Sequence, residues 1–323
     1  MNLFHTTTYH LYQKYIQRDY KIAVISDIHF SYLVTNKKLF DITNYLKSLN
    51  IDYILIAGDL IDSVNMIEDT HEYYRLLHWL KSLGDIATTL ISFGSHDYCR
   101  KEYYANPKMQ NKFYWEYQLD SNFIKDIDKI PNVYALNNNT YEDSNLYIAG
   151  ITNSFAYYYP KSKKNEKINE DKQQLLIELQ QLKYELLKNL PKNKINLAML
   201  HSPIYLIDTE IQKELKEFDY FISGHMHNGC VPPILYELWN TDRGLIAPNK
   251  SLFPKTERNT LKYKNDKLIT NGPITMFHEC AGPMSIFNCL YPTYIGIMNI
   301  TKDKTYDQEK IKITKKYQKL KKH

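Results

Sequence analysis

Five short apolar runs in this chain each stop at an aspartate, a histidine or a cluster of both, and this recurrence limits the fold more than any bulk property. KIAVIS (21–26) runs into Asp27-Ile28-His29, and YILIAG (53–58) into Asp59-Leu60-Ile61-Asp62. TTLISFG (88–94) meets Ser95-His96-Asp97, NLAML (196–200) meets His201, and DYFISG (219–224) meets His225-Met226-His227. Runs of four to eight apolar residues bounded by Gly or polar residues read as buried strands. NLYIAG (145–150) and YIGIMNI (294–300) add two more. Helical periods lie between them. NKKLFDITNYLKSL puts Leu39, Ile42, Leu46 and Leu49 on one face, EYYRLLHWLKSL does the same with Tyr73, Leu76, Leu77 and Leu80, and DKQQLLIELQQLKYELLKNL ends before Pro191. Strands alternating with helices predict a layered α/β core.

In open α/β sheets ligands bind at the carboxyl ends of the strands, so side-by-side strands would bring the five clusters to one edge. Each cluster alone is weak evidence, because a short Asp-x-His match arises easily by chance. The conjunction is stronger. Five of the eleven histidines, with Asp27, Asp59 and Asp97, follow apolar runs directly, and a packed sheet gains nothing from ending in ionisable groups. Carboxylates and neutral imidazoles suit divalent cations such as Mn, Fe or Zn, with no thiolate needed. Two such ions about 3.5–4 Å apart clamp the attacking and leaving oxygens of an in-line displacement, which is chemistry suited to phosphate esters. A serine-hydrolase reading of Ser95-His96-Asp97 is disfavoured. Triad members normally come from separate stretches of chain, and no G-x-S-x-G elbow precedes the serine.

The 323 residues, 43% of them apolar, suffice for one large α/β domain or two smaller ones. The formal charge of +5 is concentrated at the end. Residues 301–323 hold nine Lys against three Asp or Glu, which is +6 and leaves the rest at −1. That tail reads as a solvated, partly frayed end, with contact to an acidic surface or membrane as the other reading. The first twenty residues show no apolar h-region and no run approaches 18 apolar residues, so a cytoplasmic protein without a transmembrane segment is expected. Cys99, Cys230, Cys280 and Cys289 lack a C-x-x-C spacing and are expected to be free thiols. No specific nucleic-acid signal is visible. Two stretches, 98–119 and 155–170, interrupt the rhythm and read either as surface loops or as a rim over a site. Arg100, Lys101 and the tyrosines at 157–159 could meet substrate there, although solvation and packing are the plainer accounts.

The set D-x-H (Asp27, His29), G-D-x-x-D (58–62), G-S-H-D (94–97), a lone His201 and G-H-x-H (224–227) resembles the calcineurin-type metallophosphoesterases in order and in strand placement. The resemblance covers about 21–230 and is closest to bacterial stand-alone phosphohydrolases of that superfamily. It implies a four-layer αββα sandwich with two mixed β-sheets, one phosphoesterase domain over 1–323 in which 231–300 complete the second sheet. It also implies hydrolysis of phosphomonoesters or phosphodiesters by a hydroxide generated at a two-metal site. Asp27, His29 and His227 would then hold one metal and His201 and His225 the other, with Asp59 bridging. His96 would sit over the phosphate as acid or transition-state donor, with Asp97 orienting it and Asp62 in support. The departure is Ser95, where the family places a metal-ligating Asn. A shorter neutral oxygen there implies a weaker or differently selective second metal, with loss of that metal as the other outcome. The alternative is a metal-binding regulatory scaffold with weak or no turnover.

Overall fold

The computed structural model describes residues 3–13, 16–98, 119–152, 173, 176–182, 184, 190–201, 214, 215, 217–225, 261, 262, 268–271, 293–302 and 312–319. Thirteen strands form two mixed sheets among these residues. The first contains β1 (Leu3–Tyr12), β2 (Tyr20–Ile25), β3 (Tyr53–Ala57), β4 (Thr88–Ser92), β5 (Val133–Ala135), β12 (Thr293–Thr301) and β13 (Lys312–Lys319), in the order β13-β1-β12-β2-β3-β4-β5. Strands β2 to β5 run parallel, β12 lies antiparallel to β2, and β13 is antiparallel to β1. The second contains β6 (Asn139–Glu142), β7 (Leu146–Ile151), β8 (Ile195–Leu200), β9 (Tyr220–Ser223), β10 (Leu261–Lys262) and β11 (Leu268–Asn271), in the order β10-β11-β9-β8-β7-β6. Its four central strands are parallel and its edges β6 and β10 antiparallel.

Strand alternation divides the apolar residues between two cores. Ile22, Val24, Leu55, Ala57 and Leu90 from the first sheet join Leu146, Ile148, Leu197, Met199 and Ile222 from the second in one buried cluster, so the sheets pack face to face. The alternate residues Ala23, Ile25, Ile54, Ile56 and Ile91 face the other way, into a cluster with the helices α1 (Asn36–Ser48), α3 (Thr70–Gly84) and α4 (Ser121–Asp128). A short α2 (Asn65–Glu68) precedes α3. The outer face of the second sheet is buried too: Phe221 on β9 packs edge-on against Phe218 with ring centroids 5.7 Å apart. Residues 176–182 are helical, and Leu179 among them is buried.

Helix starts follow local chemistry. The Thr35 hydroxyl accepts from the Lys38 amide, and the Asp69 carboxylate accepts from the amides of His71 and Glu72, each satisfying N–H groups with no partner inside the helix. On α3 the buried stripe is Leu76, Trp79, Leu80 and Leu83, whereas Tyr73 and Leu77 lie at its margins.

Two expectations are corrected. The lysine-rich end is not wholly a frayed tail, since 312–319 form a strand along β1. Residues 231–300 do not serve the second sheet alone: β10 and β11 join it, but β12 inserts between β1 and β2 of the first. Both misplacements concern the two neighbours of β1, whose Thr- and Tyr-rich sequence suits a strand without forming an apolar run.

Candidate metal centre

Strands β2, β3 and β4 are neighbours running the same way, and so are β8 and β9, so their carboxyl ends open on a common rim. The β2–β3 ladder continues past the strand ends: the amides of Asp27, His29 and Phe30 donate to the carbonyls of Gly58, Asp59 and Leu60, and the Asp62 amide donates back to Phe30. Across the second sheet the Gly224 amide donates to the His201 carbonyl at 2.8 Å. The chain turns sharply at these points. Asp27, His29, Asp59 and His225 adopt left-handed φ of 51°, 45°, 50° and 68°, a conformation costing a non-glycine residue about 1–2 kcal/mol. Among the described residues the other non-glycine positions with positive φ are Asn50, Asn132 and Asn138, and Asn tolerates it better. Strain outside Asn is therefore confined, among the described residues, to this rim, as at many functional sites.

Those turns converge the side chains. Oxygen and nitrogen atoms of Asp27, His29 and Asp59 lie within 4.8 Å of one another, and so do those of Asp59, His201 and His225. Asp59 belongs to both groups. Its Oδ2 is 3.0 Å from His201 Nε2 and 3.7 Å from His29 Nε2, while Asp27 Oδ1 stands 3.9 Å from His201 Nε2. All five residues are buried. The two sets are of the hard-oxygen and imidazole kind that divalent ions take, so the residues fit a pair of cations sharing one carboxylate. A third group, His29, Asp62 and His96, is also within 4.8 Å, but Asp62 is partly exposed.

Backbone carbonyls aim the rings. His201 Nδ1 is 2.7 Å from the Ala57 carbonyl and His96 Nδ1 is 2.7 Å from the Asp62 carbonyl. A carbonyl only accepts, so both rings carry their proton on Nδ1 and leave Nε2 for the site. Around Asp27, the Ser26 hydroxyl donates to Oδ2 at 2.5 Å and the His225 amide to Oδ1 at 2.9 Å. Burial pushes the Asp59 carboxyl up, but the imidazoles of His201, His96 and His29 outweigh it and hold the group well below the usual carboxylate range. For His201, burial disfavours the cation, yet Asp59 and Asp27 prevail and raise the pKa to about 9.

Ser95, His96 and Asp97 face three different partners, so they form no triad. Ser95 Oγ is 3.4 Å from both oxygens of Asp59, and the His96 amide donates to Asp59 Oδ1 at 2.8 Å. Asp97 is bonded to main chain and not directly to the His96 ring: its Oδ2 accepts from the Gly94 amide at 2.7 Å and its Oδ1 from the Ile61 amide at 3.0 Å. The 3₁₀ turn over Ser95–Asp97 aims this carboxylate back at the backbone.

A family model, calcineurin-like phosphoesterase, matches residues 20–229, about two thirds of the sequence. The chain belongs to the calcineurin-like phosphoesterase family. Among curated proteins none matches. Among solved structures, a dimetal phosphatase from Danio rerio is similar at TM-score 0.40 and 12% identity, covering 78% of this chain and 86% of its own. GAP50, the anchor in the inner membrane complex of Plasmodium, is similar at TM-score 0.32 and 13% identity, covering 66% and 67%. No helix among the described residues of the phosphoesterase is long and apolar enough to cross a membrane.

The structure brings together Asp27, His29, Asp59, Ser95, His96, His201 and His225 of the phosphoesterase. His227, Arg100, Lys101, the tyrosines at 157–159, all four cysteines and nearly all of both excursions lie outside the described residues. Sequence reasoning missed Ser26 and the carbonyls of Ala57 and Asp62. The serine preceding Asp27 was readable, but a carbonyl leaves no trace in side-chain patterning.

Proposed function

We propose that this phosphoesterase hydrolyses phosphomonoester or phosphodiester bonds at a two-metal centre, as a single unit built over both sheets. The observation that carries the reading is the membership of Asp59 in both ligand groups. Asp27, His29 and Asp59, with His227, would hold one cation, and Asp59, His201 and His225 the other. Bound there, the cations would lower the pKa of water towards neutrality and offset charge on the phosphoryl oxygens. The chain does the rest. His201 presents Nε2 because Ala57 holds its other nitrogen, and the Ser26 hydroxyl and His225 amide fix the Asp27 carboxylate. His96 Nε2 is held towards the rim, where it can donate to a phosphoryl or leaving-group oxygen.

The test is hydrolysis of bis(p-nitrophenyl) phosphate and p-nitrophenyl phosphate by chelator-stripped protein with and without Mn²⁺. Restoration by the metal, and a loss on the order of 1,000-fold in Asp59→Asn, is expected for a shared ligand. Chelator-resistant hydrolysis would refute the reading. A second reading, a metal-binding scaffold with little turnover, is favoured by one feature: Ser95 Oγ is directed at Asp59, in the position where the family's longer Asn would reach a metal. Metal content and rate in Ser95→Asn separate the two. A gain in both supports the enzyme with a weakened second site, whereas a gain in metal without rate supports the scaffold.

A further inference from the structure

We infer that Asp97 is a positioning residue that sets the orientation of His96 through the backbone of the neighbouring loop. The inference rests on the reading of His96 as the donor at the rim and names what holds it there. Asp97 is 0% exposed and lies between the loops that follow β3 and β4. One carboxylate oxygen takes the Gly94 amide at 2.7 Å, in the loop that carries Ser95 and His96, and the other takes the Ile61 amide at 3.0 Å. The peptide next to Ile61 is that of Asp62, whose carbonyl accepts from His96 Nδ1 at 2.7 Å. Asp97 thus anchors the start of the turn at Ile61, Phe30 holds the Asp62 amide one residue on, and the Asp62 carbonyl at the end of that turn selects the ring nitrogen bearing the proton.

The same two loops are tied once more by the His96 amide on Asp59 Oδ1, 2.8 Å. That bond holds the main chain of His96 and not its ring, which is set by the Asp62 carbonyl and by the edge of the His29 ring 4.4 Å away. Burying a carboxylate beside Asp59 is unfavourable: burial first, then the Asp59 charge, push the Asp97 carboxyl up to about 7 against the pull of its two amides. A neutral amide would avoid that repulsion, but asparagine offers only one oxygen. Its NH₂ would confront one of the two backbone N–H groups and push the loops apart.

Asp97→Asn, His96→Ala and the double variant decide the matter, using the Zn²⁺-loaded full chain for spectroscopy and two diesters that differ in leaving group. We expect ¹⁵N-histidine spectra of wild type to show His96 as a single Nδ1-protonated tautomer, and Asp97→Asn to shift it towards a mixture. Asp97→Asn should lower kcat about 10–100-fold, the range for outer partners of a site, with the larger loss on an alkyl leaving group than on p-nitrophenolate and little change in KM. In the His96→Ala background the same change should cost less than about 3-fold, because residues acting as a unit are not additive. An unchanged tautomer, or an equal cost in both backgrounds, overturns the inference. Should wild type hydrolyse no phosphate ester, the functional reading fails while the spectra still decide the role of Asp97. If Asp97→Asn does not fold, hydrogen exchange in wild type decides. Slow exchange at both Gly94 and Ile61 amides supports the strut, and fast exchange at either one overturns it.

Discussion

The two ends of the same strands are built on opposite terms. At the amino-terminal end, carboxylates and hydroxyls meet donors from the protein itself: Asn145 Nδ2 donates to the Tyr20 hydroxyl at 2.7 Å, the Tyr53 hydroxyl donates to Asp143, and Asp143 Oδ1 also takes the Asn145 and Leu146 amides. The rings of Tyr20, Tyr53 and Tyr141 follow one another at 6.2 and 6.1 Å across the two sheets. At the carboxyl-terminal end, buried Asp27 and Asp59 face the imidazoles of His29, His201 and His225 on left-handed turns. One end closes the sandwich. The other gathers the groups that would hold the proposed cations, which divides stability and chemistry between the two ends of the strands.

The largest effect expected from breaking this contrast is at Gly94. A Cβ there would stand 2.3 Å from Asp59 Oδ1, 2.6 Å from the Asp59 amide nitrogen and 2.6 Å from the His201 ring. Neither partner can yield without leaving the cluster. Gly94→Ala should lower metal occupancy below one ion per chain and cut the hydrolytic rate by more than about 100-fold, in line with what an ångström of misplacement does to a positioned site. Metal analysis and kcat measure this. Retention of two ions would show that the rim is looser than these distances require.

Metal addition is the next test, and it acts on stability. Ions that bind only the folded chain stabilise it by about 2.7 kcal/mol at a hundredfold excess over Kd. Thermal unfolding of stripped protein should shift upward on adding Mn²⁺ or Zn²⁺, and the shift should vanish in Asp59→Asn. A shift of the same size in that variant would place the binding elsewhere.

How much of this was legible beforehand follows the same division of ends. All seven apolar runs became strands, and Asp27, His29, Asp59, His201 and His225 were placed together because an ionisable residue directly after an apolar run is a strong anomaly. The strands that went unread include the edge strands β6 and β13 and, beside β13, β1, all of polar sequence such as HTTTYH and KITKKYQK. One face of an edge strand can be wet, so no apolar run marks it. The main-chain partners of Asp97 were not legible, because its acceptors are satisfied by the Gly94 and Ile61 amides. A sequence names side chains, and backbone amides are the same at every residue. The Ser95 hydroxyl raises the same difficulty, since its direction towards Asp59 depends on a 3₁₀ turn three residues long.

At the closed end, Tyr53→Phe should destabilise without touching the chemistry. Removing the hydroxyl leaves one Asp143 oxygen short of a donor at a part-buried position, a loss of about 1–1.5 kcal/mol. Chemical denaturation should show that decrease with an unchanged slope, and kcat and metal content should match wild type. A loss of metal would mean that the two ends are coupled through the sheets and that the division argued above is wrong.

The smallest effect separates two halves of one ion pair. Arg18 Nη1 meets Asp52 Oδ1 at 2.6 Å, but the Arg18 side chain is 57% exposed, and exposed pairs contribute only about 0.2–1 kcal/mol. Its guanidinium also lies over the Tyr20 ring at 4.3 Å, a contact of similar size at an exposed site. Asp52 does more, because its second oxygen takes the Lys21 amide at 2.8 Å where β2 begins. Arg18→Ala removes both contacts and should therefore cost about 0.7–2 kcal/mol, losing part of that cost in high salt. Asp52→Ala should cost more and keep most of its cost in salt, because an amide in the strand is left without its acceptor. Equal costs with equal salt dependence would show that the amide bond to Asp52 contributes nothing, and that the closed end is held by its aromatic rings rather than by its carboxylates.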